Sequence, residues 1–146
     1  MPLFTLEPQQ TAFLIVDMQD KIFHAVDRGA DILHTIHKAV QGFRVLNVPI
    51  LVTEQYPEGL GATIAPIRHL LDHSYHPWIK STFSCIDDPK FFDYVISQPY
   101  TQWIVAGIEA HVCVLQTVKG LLRLRKEVVV LNDAISYRSI YDFSTA

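Results

Sequence analysis

The chain has 146 residues, 49% of them apolar and 18% charged, with a formal net charge of −3. That composition excludes a disordered chain and fits one domain large enough to bury a core without disulfides or metals. No basic block invites nucleic acid, and the apolar runs at Ala12–Val16 and Val128–Leu131 are far too short to span a bilayer, so neither kind of partner is expected.

Met1–Gln10 has neither the basic start nor the apolar centre of a signal peptide, which makes a cytoplasmic location the expectation. Thr11–Met18 (TAFLIVDM) is predicted as a strand whose apolar run breaks at Asp17. Asp31–Leu46 places Ile32, Leu33, Ile36, Ala39, Val40, Phe43 and Leu46 at the spacing of one helical face. Asn47–Pro49 ends that helix, and Ile50–Thr53 is the next strand. The glycines and proline of Glu54–Ala62 (EQYPEGLGA) mark a loop, and a short helix is expected over Ile64–Leu71. His76–Thr82 contains a short strand ending near Lys80.

Asp88-Pro89 pairs a helix cap with a proline at the first helical position, opening a helix through Ile96. Gln102–Ala106 is a strand, and Gly107 allows a tight exit from it. Val114, Leu115, Val118, Leu121 and Leu122 form a further helical stripe, and Glu127–Leu131 another strand. Strands alternating with helices predict a single three-layer α/β/α domain, doubly wound around a mostly parallel, Rossmann-like sheet. Ser139–Ala146 reads as the opening of a helix, and the chain is expected to stop short of a natural helical end.

In such sheets ligands bind beyond the carboxyl ends of the strands. That selects Asp17, Glu54, Gln55, Lys80, Asp133 and the Gly107–Cys113 segment. Cys113 has two readings at this stage. It is a small apolar core residue, or a nucleophile whose thiolate is favoured by the helix start and a nearby cation. Asp17 is a turn residue or a proton acceptor, and Lys80 a solvated side chain or that cation. Cys85 and Cys113 are read as reduced thiols, since they lack a Cys-x-x-Cys arrangement. His69, His73 and His76 have no nearby partners to complete a ligand set, and no metal site is expected. His111 and Cys113, two residues apart at a helix start, are not expected to face each other.

Taken together, LIVDMQ (14–19), WIKSTFS (78–84), VAGIEAHVCVLQT (105–117) and NDAISYRS (132–139) resemble the isochorismatase-like cysteine hydrolases. EQYPEGLG (54–61) looks most like the isochorismatase-domain-containing subgroup, whose physiological substrates are often unassigned. The resemblance implies a triad of Cys113 as nucleophile, Asp17 as general acid and base, and Lys80 as the supporting cation. It also implies a non-proline cis peptide between Ile108 and Glu109, aiming the Glu109 and Cys113 N–H groups at one oxyanion. Gln19, Gln55, Tyr56 and Phe83 would line the substrate pocket. Nicotinamidases of this fold carry an Asp-x-His…His metal set after the second strand; here Glu54-Gln55-Tyr56 stands in that place, and no cofactor is implied. True isochorismatases typically lack the cysteine, so its presence implies acyl transfer at a small amide or related C–N carbonyl compound through a thioester. The alternative is a catalytically idle binding or scaffold protein on the same fold. A homo-oligomer is implied by the family.

Overall fold

In a computed structural model describing residues 4–145, the apolar run Thr11–Val16 forms β1 with every residue buried. The readings of a missing leader in Met1–Gln10 and of the chain's end at Ala146 fall partly on residues 1–3 and 146, outside the described residues. After β1 come a single helical turn, α1 (Asp20–Phe23), and the long α2 (Gly29–Val45). β2 (Ile50–Gln55), the turn α3 (Pro57–Leu60), α4 (Ala65–Leu71) and β3 (Trp78–Lys80) complete the first half. The second half runs through α5 (Pro89–Ser97), β4 (Gln102–Ile108), α6 (Leu115–Arg123), β5 (Glu127–Ser136) and α7 (Ile140–Thr145). Asp88 caps α5 as its sequence position predicts, its Oδ2 accepting from Phe91 N at 3.0 Å.

The five strands are all parallel, in the order β3-β2-β1-β4-β5. Strands covered on both faces need apolar residues at nearly every position, which is why β1 and β4 read as continuous apolar runs. Successive side chains of β1 still serve opposite faces. Phe13 and Ile15 join a core with Ile36 and Val40 of α2 and Ile67 of α4. Ala12, Leu14 and Val16 join a second core with Phe91 and Val95 of α5, Trp103 of β4 and Leu121 of α6. From β1 the chain steps outward to β2 and β3, then returns to the other side of β1 for β4 and β5. The reversal puts a crevice beyond the carboxyl ends of β1 and β4, where doubly wound sheets bind ligands.

Several boundaries differ from expectation, β2 for one running on to Gln55, and three differences shape the crevice. β4 continues through Gly107, whose φ of +126° only glycine adopts freely, and a Cβ there would collide with the Val16 backbone. Gly107 therefore lets β4 stay against β1 rather than turn away from it. β5 extends past Leu131 to Ser136, with a register shift between Val105 and Gly107 of β4, after which Ile135 and Ser136 resume pairing. The expected loop at Glu54–Ala62 contains the turn α3, started by Pro57. Among the described residues, no helix is long and apolar enough to cross a membrane.

Candidate active site

Asp17 follows β1 directly, with a left-handed φ of +48° and no solvent exposure. A carboxylate so deeply buried must be paired and hydrogen-bonded. Lys80 Nζ donates to its Oδ2 at 2.8 Å, and the Thr53 hydroxyl donates to its Oδ1 at 2.8 Å. Lys80 reaches this position because β2 and β3 pair with Gln55 opposite Lys80. Its ammonium also donates to Gln55 Oε1 at 3.0 Å, Thr82 O at 2.8 Å and Phe83 O at 3.0 Å. Burial works against the charged ammonium, but the negative potential of Asp17, supported by Cys85 and Cys113, outweighs it and raises the Lys80 pKa.

Cys113 sits in a wide helical turn, Ala110–Val114, between β4 and α6 and is 6% exposed. Its Sγ donates to Gln55 Oε1 at 3.2 Å, the same oxygen that receives Lys80. Sequence position suggested a stabilised thiolate here, and the geometry reverses that sign. Burial first, then the negative charge of Asp17, push the thiol pKa up, and Lys80 opposes them only in part. The Cys113 proton points to Gln55 Oε1, and the negative charge of the buried Asp17 carboxylate acts on the sulfur.

The peptide between Ile108 and Glu109 is cis. Ile108 is fully buried, while Glu109 accepts from Arg138 Nε at 2.9 Å. Above the thiol opens a pocket of about 270 Å³, lined among others by Gln55, Leu60, Phe83, Val112 and Cys113, with Lys21, Glu109 and Arg138 adding charge. Of the four residues expected in the wall, Gln55 and Phe83 line it. Gln19 does not: it is fully buried behind Gln55, where its Oε1 accepts from Gln55 N at 2.7 Å and its Nε2 donates to Gln55 O at 2.9 Å. Tyr56 is 60% exposed and also lies outside the lining, its backbone turned by a φ of +41° as the chain enters α3.

Sequence reasoning passed over Thr53, Lys21 and Arg138. Thr53 had a usable signal, since it closes the strand run just before Glu54-Gln55; Arg138 lies in the quoted NDAISYRS. His69, His73 and His76 are all exposed, and among the described residues no group of three His, Cys, Asp or Glu side chains converges to hold a metal. The two cysteines are free thiols.

Residues 11–145 match the family model described as the isochorismatase domain. The chain belongs to the isochorismatase family. Isochorismatase domain-containing protein 1 of Danio rerio is 33% identical over 141 residues, which span 96% of this chain and 49% of that protein. Isochorismatase domain-containing protein 2 of Homo sapiens is 33% identical over 136 residues, 92% of this chain and 64% of its own. The chain thus spans about half the length of the first of these relatives and under two thirds of the second. Among solved structures, the MAR1 ribonuclease from Caenorhabditis elegans superposes with a TM-score of 0.87 at 34% identity, over 96% of this chain and 71% of that one. In this hydrolase-type α/β fold Asp17 and Lys80 pair beyond the strand ends, and Lys80 and Cys113 share Gln55 Oε1.

Proposed function

We propose that this chain is a cysteine-dependent hydrolase of a small amide or related C–N carbonyl compound. The observation that carries the reading is the buried Asp17–Lys80 pair at 2.8 Å, beside a pocket-lining thiol that shares Gln55 Oε1 with Lys80. Asp17 takes the Cys113 proton as the sulfur attacks the carbonyl carbon, so proton transfer and C–S bond formation proceed together and no free thiolate has to accumulate. Lys80 orients the Asp17 carboxylate. The oxyanion is held by the Glu109 and Cys113 N–H groups, the donors that the family pattern assigns. Collapse of the adduct breaks the C–N bond, and the leaving nitrogen takes the proton back from Asp17. Asp17 then deprotonates a water that attacks the thioester, and the departing sulfur recovers that proton.

A pocket of about 270 Å³ and a net charge of −3 favour a small molecule over a nucleic acid chain, although the Caenorhabditis elegans neighbour bears the name ribonuclease. A second reading, a binding protein with an idle thiol, has one observation in its favour: the raised proton affinity of Cys113. A panel of small amides, ureides and carbamates decides between them. Turnover by the parent and its loss in Cys113→Ala supports the hydrolase; turnover that survives Cys113→Ala overturns it. The family pattern further suggests a cytosolic homo-oligomer, for which light scattering on the purified protein gives the subunit count.

A further inference from the structure

The proposed chemistry uses one of the two thiols. The other, Cys85, is fully buried and still interacts electrostatically with both Asp17 and Lys80. It is the middle link of a hydrogen-bond chain running from α6 to Asp17. The Thr117 hydroxyl donates to Cys85 Sγ at 3.3 Å, Cys85 Sγ donates to Thr53 Oγ1 at 3.8 Å, and Thr53 Oγ1 donates to Asp17 Oδ1 at 2.8 Å. Cys85 N closes a loop onto Thr117 Oγ1 at 3.0 Å.

Each hydroxyl or thiol in this chain has one proton, and that fixes its direction. The Thr53 oxygen faces two donors, Asp17 N at 3.3 Å and Cys85 Sγ, so its own proton goes to the carboxylate. Thr117, Cys85, Thr53 and Asp17 are all at zero exposure, so bulk solvent does not reach the chain. Donors aligned this way polarise one another toward the terminal acceptor. Thr117 also lies four residues after Cys113, in α6, which continues directly from the wide turn that carries the proposed nucleophile, so that stretch also anchors the far end of the chain acting on its base.

We propose that Cys85 is a positioning residue: through Thr53 it sets how strongly Asp17 holds a proton, and hence how readily Asp17 takes one from Cys113. The proposal rests on the reading of Asp17 as proton acceptor for Cys113. The titratable groups that interact with Asp17 are Lys80, Cys85 and Cys113. Removing the Cys85 donor weakens the Thr53 bond to Asp17 Oδ1 and makes Asp17 the stronger base. The tautomer with Asp17 protonated and Cys113 ionised gains population.

The test is the rate of Cys113 alkylation by iodoacetamide as a function of pH, followed by peptide mass spectrometry. Cys85→Ala should alkylate about threefold faster than the parent at neutral pH. The ratio should hold across the neutral range, because moving one proton between Asp17 and Cys113 leaves the net proton count unchanged. Cys85→Ser, which keeps a donor and an acceptor, should restore the parent profile. An unchanged rate overturns the proposal. So does a ratio that changes with a bulkier alkylating agent, which marks looser access to the thiol, and so does a serine variant that behaves like alanine. Thr117→Val cuts the chain one link earlier and gives the same reading should Cys85→Ala not fold. Alkylation needs no substrate, so failure here is distinct from failure of the hydrolase reading, which turnover by Cys113→Ala decides.

Discussion

Gln19 grips the backbone of Gln55 at both ends, accepting from its N–H at 2.7 Å and donating to its carbonyl at 2.9 Å. Gln19 Nε2 also donates to Gly61 O at 2.8 Å, so one buried carboxamide fastens β2 to the loop that follows it. The side chain of Gln55 is thereby aimed at Lys80 and Cys113. Gln19→Ala leaves three buried backbone and side-chain bonds unmade, and it should lower unfolding free energy by about 2–4 kcal/mol. Chemical denaturation measures this, and a retained midpoint would show that the clip is dispensable.

Lys80→Met strips the buried Asp17 carboxylate of its ammonium partner. Breaking a buried pair from one side costs about 3–5 kcal/mol, because the remaining charge is stranded. The double variant Asp17→Asn/Lys80→Met should recover part of that loss while restoring no activity. Recovery of stability without turnover separates the pair's structural role from its proposed chemical one. Equal instability of the single and double variants would show that the two side chains are not energetically coupled.

The alkaline limb of stability has a definite sign. Burial, then the charge of Asp17, push the Cys85 thiol up to about 11. Lys80 is raised as well, its ion pair with Asp17 overcoming burial. A group that holds its proton more tightly when folded contributes stability fully present below its unfolded value and lost as pH rises through its folded value. For Cys85 that window runs from the ordinary thiol range near 8.5 up to about 11. Unfolding free energy should therefore fall through this range, by roughly 3 kcal/mol at most from this one thiol. Denaturation titrations of the parent and Cys85→Ser across it measure the difference; the serine variant should show the shallower slope.

Lys21 and Arg138 place two cations on the pocket wall against the single carboxylate of Glu109, which already accepts from Arg138. Once a substrate is in hand, Lys21→Ala should raise KM about tenfold for an analogue bearing a carboxylate and leave a neutral analogue of the same size within about twofold. Steady-state kinetics on such a matched pair decides it. Equal effects on both analogues would mean that the lysine contributes its stem rather than its charge.

Much of the scaffold was legible because apolar runs and capping residues act locally. The runs TAFLIV and QWIVA announce strands buried on both faces, and Asp88-Pro89 announces α5. The ends of β4 and β5 were not legible. They depend on Gly107 taking a φ of +126° against Val16 and on Ile135 and Ser136 re-pairing after a register shift, and both are relations between distant segments. The site divides the same way. Asp17, Lys80 and Cys113 stand out by residue type at the ends of elements. Thr53, Cys85 and Thr117 are ordinary residues in sequence, and only the stacking of β2, the loop after β3 and α6 makes a chain of them. Sequence position also gave the wrong sign for Cys113, because it carries no account of the burial that raises the thiol.

Lys80 is delivered to Asp17 by β3, a strand of three residues on the outer edge of the sheet. The ends of sheets are where native proteins open first and at least cost. Trp78, at the other end of that strand, packs its ring 5.5 Å from Phe91 and 5.0 Å from Tyr94 of α5. Loosening these aromatic contacts, as in Trp78→Ala, should shorten the time the ammonium spends beside the carboxylate. The lifetime of the assembled site is thus tied to an indole at the rim, and amide exchange at Ile79 and Lys80 is the clock on which to read it.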